Sequence, residues 1–344
     1  MKKILLIILA IILITIPVWA NAGPPAQDPE TNMIYFSEDS GVSLIEEWIT
    51  FTIDKEWDQS SLVEVKYILK NIDNEEENIK LMFLGPGLAS DETKILVDGE
   101  EIKNIRLVES SSIPENWESL ENINIYEPIS GKLLREHSTG YRYGYQEDKG
   151  YEFNVDIPIN ETIELDIIYE SDGGYYSYNE VINDVSTQIY YLTPAKYWEG
   201  DAKVNMSVVF PNDSYEIHSN IKLDKINEKT YGTNLNAIPK EEWYFNYVSK
   251  EGLIFSTNFI KTNNTIAGII VALTVALGFY FMKKKKKALS IITFLLTLTE
   301  FFLFRFRGYG GLFVIFIGIP IVLLAAVVVG LIKLYKKNKE KNSL

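Results

Sequence analysis

In WITFTID (48–54), LVEVKYILKNI (62–72), IKLMFLGPG (79–87) and YEFNVDIPINETIELDIIYESDGG (151–174), apolar and polar positions tend to alternate. A period of two sends successive side chains to opposite faces of a strand, and these runs are rich in β-branched and aromatic residues. Polar clusters divide them: NIDNEEEN (71–78) reads as the connection between the second and third. In KILVDGEEIKNIRL (94–107) the pair Asp98-Gly99 lies between two apolar runs. It predicts a hairpin, because a type I′ turn needs positive φ at both central residues. Further strands are expected at 188–192, 203–210, 215–223, 242–248 and 253–259. From 110 to 149 the alternation weakens and Pro114, Pro128 and Gly131 appear.

Many short strands joined by turns predict antiparallel sandwiches rather than an α/β sheet. The expected fold class is an all-β ectodomain of one or two antiparallel β-sandwiches, followed by C-terminal transmembrane α-helices. Two sandwiches are favoured, over 23–110 and 151–262, with 111–150 as an irregular insertion or linker.

The pattern changes at both ends. Residues 1–22, MKKILLIILAIILITIPVWANA, read as a signal peptide: Lys2 and Lys3, an apolar run, then Ala20-Asn21-Ala22 as a small-residue cleavage site. Three long apolar segments follow the strands, at 265–282, 288–304 and 311–332. A bilayer core about 30 Å thick takes roughly 20 helical residues, so all three are expected to span, the second marginally. Between the first two stand Lys283, Lys284, Lys285, Lys286 and Lys287, and the tail 333–344 carries five more lysines. Lysine-rich flanks stay cytoplasmic. The turn 283–287 and the tail are therefore placed inside, the turn 305–310 outside, and the large N-terminal domain outside the cell. The expected localisation is a multi-pass cell-membrane protein with a cytoplasmic C-terminus. The stretch STNFIKTNN (256–264) leaves almost no stalk before the first span.

Charge follows the same division. Of the 47 acidic residues, 45 lie between Gly23 and Asn264; of the 33 basic residues, 19 do. An acidic block repels nucleic acid, whose binding requires neutralised phosphates. No cysteine is present, which excludes disulfides, thiolate nucleophiles and thiolate-bound metals. A cysteine-free ectodomain rich in Ile, Lys, Asn and Glu favours a bacterial envelope protein.

Few residues suggest chemistry. His137 and His218 are the two histidines, too few for a multi-histidine zinc site. Ser219 to Lys222 matches S-x-x-K without the elements that accompany it in penicillin-binding enzymes. Acidic doublets such as Glu46-Glu47 and Glu241-Glu242 point to opposite faces of a strand and make poor catalytic pairs. The acidic clusters read as a solvated surface; calcium bound in inter-strand loops is the next reading, and no EF-hand spacing supports it. No cofactor or metal site is expected. Glu300 lies inside the second apolar segment, a turn from Arg305, with which it would neutralise near the outer interface. The tyrosines of GYRYGY (140–145) and GGYYSYNE (173–180) are the candidate recognition residues: Tyr141, Tyr143, Tyr145, Tyr175 and Tyr176. Tyrosine offers rigid contact area with a hydrogen-bonding tip.

Two pieces have a familiar layout. LVEVKYILKNIDNEEENIKLMFLGPG (62–87), a V-x-Y-x-x-x-N strand before an apolar strand ending in Pro-Gly, resembles the opening of bacterial secreted β-sandwiches. IYYLTPAKYWEGDAKVNMSVVFP (189–211) is similar to a second recurring piece, with Pro194, Trp198 and Gly200 ahead of a strand. With the signal peptide and terminal helices, the chain resembles uncharacterised cell-surface proteins of Gram-positive bacteria. That resemblance implies no activity, cofactor or site residue. The expected function is a non-enzymatic interaction or structural role at the bacterial cell envelope. Its partners would be the lipid bilayer and another envelope protein or a cell-wall glycan. The competing expectations are a cell-wall glycan hydrolase using Asp/Glu carboxylates and an accessory subunit of a membrane complex.

Overall fold

The computed structural model describes residues 25–27, 34–36, 41–54, 60–86, 93–108, 123–134, 142–143 and 148–305. The expected signal peptide, the third apolar segment and the basic tail lie outside the described residues. The chain divides into two units, 1–258 and 259–344.

The first unit is built of strands. β1 (Pro25–Gln27) and β2 (Ile34–Phe36) pair with each other; β3 (Val42–Ile53), β4 (Ser60–Asn71) and β5 (Glu77–Pro86) follow. Next come β6 (Lys94–Val97), β7 (Glu100–Glu101), β8 (Arg106–Val108), β9 (Tyr126–Glu127), β10 (Lys132–Leu133) and β11 (Arg142–Tyr143). The long strands β12 (Asp148–Ile157) and β13 (Thr162–Asp172) precede β14 (Gly174–Tyr176) and β15 (Val185–Tyr190). Last are β16 (Lys203–Val209), β17 (Tyr215–Ser219), β18 (Asp224–Lys225), β19 (Thr230–Leu235) and β20 (Trp243–Ser249).

An eight-stranded sheet in the order β18-β19-β16-β3-β4-β13-β6-β7 forms the base. One of its faces is apolar: Ile49, Phe51, Val63, Val65, Tyr67, Leu165, Ile167 and Val208 are all buried. Two smaller sheets cover that face. The three-stranded sheet β5-β12-β8 packs over β4 and β13, with the Phe83 and Tyr169 rings edge-on at 5.3 Å. The five-stranded sheet β11-β14-β15-β20-β17 packs over β3 and β16. There Phe51 meets Trp243 and Phe245 edge-on at 5.4 and 5.2 Å. Buried residues of all three sheets form one core.

The expected division at 111–150 is therefore not a domain boundary. β4 pairs with β13 along eleven residues, so the two halves of the chain share one sheet. The physical reason lies in the connections. β4 runs into β5, and β12 into β13, but each time the chain leaves one sheet for the other. The turn 158–161, with Asn160 at φ 58°, is thus a corner between layers rather than a hairpin. Asn71 ties both corners together: its Nδ2 donates to the Glu75 carbonyl and to the Ile157 carbonyl at 2.9 Å, and its backbone N–H donates to the Glu161 carbonyl.

The expectation of purely antiparallel pairing fails at one place. β16 lies parallel to β3, from Lys203 opposite Glu46 to Val209 opposite Thr52. Parallel neighbours need a long crossover, and the chain makes it through a 3-10 turn at Thr193–Tyr197 and the buried Trp198. Gly200 completes it at φ +88°, where a Cβ would lie 2.6 Å from the Ser43 hydroxyl. The Asp98-Gly99 hairpin forms as its residues dictate, with φ of 50° and 82°.

The second unit begins with α1 (Ile260–Lys283), a helix long and apolar enough to cross a membrane. It turns at 284–286 into α2 (Lys287–Arg305), which runs back antiparallel. The two pack closely where Gly278 faces the Phe294 ring; a Cβ there would approach that ring to 2.9 Å. The Ser290 hydroxyl donates to the Gly278 carbonyl at 2.9 Å.

Because Phe51 joins the base sheet to the rings of β15 and β20, Phe51→Ala should lower stability by about 3–5 kcal/mol, the usual cost of deleting a buried phenyl group. Denaturant unfolding of the full-length protein in mild detergent, followed by tryptophan fluorescence, reads this out. Ile49→Val on the same strand should cost only about 0.5–1.5 kcal/mol.

Candidate functional site

The two tyrosine-rich segments meet. β11 pairs antiparallel with β14, which sets Tyr143 opposite Tyr175 and Arg142 opposite Tyr176. β11 is the terminal strand of the five-stranded sheet, so the pairing lies along a sheet edge. Tyr175 is half-buried and its hydroxyl donates to the Asp184 carboxylate. Tyr176 is not a surface residue: it is 3% exposed and stacks nearly parallel on Tyr178, centroids 6.3 Å apart. Its strand register explains this, since alternate residues of β14 face the inside. Tyr141 and Tyr145 lie outside the described residues. Among the described residues of the first unit ten tyrosines are buried, Tyr67, Tyr169, Tyr190 and Tyr247 among them, so much of the tyrosine excess builds the core.

A second polar cluster was not foreseen from the sequence. Glu47 is completely buried and accepts a hydrogen bond from the Tyr190 hydroxyl at 2.7 Å; the Tyr67 and Tyr190 hydroxyls are 3.0 Å apart. Burial raises the Tyr190 phenol well above its ordinary range, and the nearby Glu47, then Tyr67 and Tyr169, push it the same way. Burial and Glu47 likewise raise Tyr169. Both phenols stay protonated, and Tyr190 uses its proton as the donor to the Glu47 carboxyl group. With no exposed surface at Glu47, the cluster organises the core and has no access to a substrate.

What brings Glu47 inside is a β-bulge. The β3–β4 register shifts between Leu44 and Glu46, leaving Ile45 as the extra, exposed residue. Ahead of the shift Leu44 faces the core; beyond it Glu47, Ile49 and Phe51 do. A bulge reverses the facing of everything after it. The signal was present as a change of apolar parity across LIEEWIT.

Part of the expected insertion also has a defined place. Glu127 is fully buried and accepts from the backbone N–H of Ile129 and of Ser130, which shapes the β9–β10 turn. The Tyr126 N–H donates to Oδ1 of Asn246, a fully buried residue on the side of β20 away from the core. The Tyr126 ring lies over His218 of β17, centroids 4.4 Å apart. The segment 123–134 thus lies on the outside of the five-stranded sheet and gives it a second covered face. Burial depresses the His218 pKa.

In the second unit Glu300 meets the neighbouring helix, while the Arg305 side chain expected beside it lies outside the described residues. Thr274 of α1 donates its hydroxyl to Glu300 Oε2 at 2.8 Å, so the carboxyl group turns toward the neighbouring helix. Among the described residues no group of three or more His, Asp or Glu side chains could hold a metal ion.

No protein-family model matches the chain, and no curated protein does. Solved structures include partial likenesses. A candidate nutrient-binding protein from Legionella pneumophila is 13% identical with a TM-score of 0.42, over 67% of this chain and 71% of that one. An M1 zinc metallopeptidase from Deinococcus radiodurans is 12% identical with a TM-score of 0.31, over 60% of this chain. Yeast LTA4 hydrolase in complex with bestatin is 9% identical with a TM-score of 0.30, over 64% of this chain. The matched part spans 42% of the metallopeptidase chain and 31% of the hydrolase chain.

A histidine whose pKa is depressed by burial stays neutral in the folded state, while the unfolded chain takes up a proton below about 6.5. Stability at His218 is therefore complete above that pH, falls as pH drops through it, and levels off below the folded pKa. Thermal melts between pH 7.5 and 5 should show this loss. His218→Phe, which keeps the ring against Tyr126, should flatten that component; an unchanged slope would show that His218 does not contribute.

Proposed function

We propose that the protein is a membrane-anchored extracellular recognition module of the bacterial cell envelope, without catalytic activity of its own. The β-unit presents the tyrosine edge, and the C-terminal helices hold it at the membrane with both lysine-rich segments in the cytoplasm. The observation that carries the reading is the pairing of β11 with β14. Two segments well separated in sequence, each dense in tyrosine, come together on one sheet edge. A sheet edge offers backbone donors and acceptors to an extended partner, and tyrosines beside it add contact area at low entropic cost. The partner class is another envelope protein or a cell-wall glycan.

Two experiments test this. The purified full-length protein should retain a component from cell-wall or envelope-protein fractions. Tyr143→Ser and Tyr175→Ser should each weaken that retention by about tenfold, the effect of removing an aromatic anchor from an interface. Glu100→Gln, on the far edge of the base sheet, should not. Retention that both tyrosine variants leave intact would move the binding surface elsewhere, and shortened glycan chains after incubation would establish a hydrolase instead. For the topology, reporter fusions within 283–287 should report a cytoplasmic location and fusions at 200–201 an external one. The opposite pattern overturns the orientation.

A further inference from the structure

The tight turn between α1 and α2 concentrates positive charge without neutralising it. Lys283, Lys284, Lys285, Lys286 and Lys287 are all exposed. None forms an ion pair with a carboxylate among the described residues, where the six salt bridges all belong to the first unit. The backbone holds these residues close together. The N–H groups of Lys284, Lys285 and Lys286 donate to the carbonyls of Tyr280, Met282 and Phe281, and Lys285 takes φ 58°, a left-handed conformation. A flexible linker would let five like charges spread apart; this turn does not.

The helix ends separate two roles. Lys283 lies in the last turn of α1, where the negative end of the helix dipole favours a cation. Lys287 opens α2, whose first turn contains no acidic residue, so that end adds its own partial positive charge to the cluster. Among the described residues no carboxylate pairs with the cluster to offset that repulsion. Lys284 lies 5.9 Å from the centroid of the Tyr280 ring, an aromatic of the kind that marks the boundary of a bilayer.

We infer that the lysine turn 283–287 is a binding site for anionic phospholipid, its ammonium groups engaging headgroup phosphates at the surface where α1 and α2 leave the bilayer. The inference rests on the membrane-spanning reading of α1 given above. Charge complementarity selects the occupant. The cluster is wholly cationic, stands at the end of a helix long enough to cross a membrane, and is flanked by apolar residues on both sides. Each basic residue at an anionic surface adds to the attraction, and clusters of four to eight beside a span are read as anionic-lipid sites.

The test uses the full-length protein in nanodiscs, which expose both leaflets and so remove orientation as a variable. Discs would be assembled from phosphatidylcholine alone or with phosphatidylglycerol, and the lipid retained by the protein on mild detergent extraction would be measured by mass spectrometry. The expected result is enrichment of phosphatidylglycerol by about tenfold or more, weakened by salt. Changing all five lysines to Gln should abolish it, and changing all five to Arg should retain it. Incorporation into discs without lipid preference, or equal preference in the Gln variant, overturns the lipid site and leaves the membrane reading standing. Failure to incorporate overturns both. Displacement of the lipid by inorganic phosphate, beyond the effect of chloride at equal ionic strength, would assign the turn to free phosphate and sink the lipid proposal.

Discussion

The apolar face of the eight-stranded sheet has to be covered, and neither smaller sheet covers it alone. That requirement organises the first unit. The three-stranded sheet takes the half around β4 and β13, the five-stranded sheet the half around β3 and β16, and the rings at Phe83–Tyr169 and Phe51–Trp243 mark the two contacts. A chain serving two covering layers from one base must cross between layers repeatedly. Hence the corners at 72–76 and 158–161 and the crossover ending at Gly200, and hence one parallel pair in an otherwise antiparallel sheet. The outer face of the base sheet is left to polar pairs, such as Lys66 with Glu164 and Asn205 with Glu46.

Covering so much surface buries polar groups, and several of them link distant elements. Asn71 joins two corners; Asn246 receives the backbone of the 123–134 segment; Tyr190 of the covering sheet meets both Tyr67 and Glu47 of the base. Asn258 does the same at the end of the unit, accepting from the N–H groups of Ile182 and Asn183 and donating to the Asn183 carbonyl. Leaving a buried donor or acceptor without a partner costs about 1–3 kcal/mol, so each of these asparagines fixes a neighbour that apolar packing alone would leave free to shift.

Local structure was legible in the sequence because its causes are local. The two-residue alternation marked the long strands, and Asp98-Gly99 specified its own turn by the φ values it permits. The apolar segment before the lysines gave a helix long enough to span a bilayer, extended at its start to Ile260. Pairing was not legible. Nothing in the alternation of β12 and β13 distinguishes two strands of one hairpin from two strands in facing sheets, because both faces of such strands read alike up to the turn. The weak periodicity after residue 110 suggested a boundary, yet its described part at 123–134 is a pair of short strands laid over the five-stranded sheet. Of the recognition tyrosines, Tyr176 was misplaced because GGYYSYNE reads as a loop, whereas Gly174–Tyr176 is a strand with an inside.

The second unit pairs its polar side chains by the same means. In a hydrocarbon surrounding there is no water to satisfy a carboxyl group, so a polar side chain on a spanning helix needs a partner on its neighbour. Thr274 supplies one to Glu300, and Ser290 reaches the Gly278 carbonyl across the same interface. Gly278 admits the Phe294 ring where any larger residue would hold the helices apart. Side-chain contacts between the hairpin's own helices thus close it at two levels, at Gly278 and at Thr274. The same closure keeps the two helix ends, and the five lysines between them, at one place.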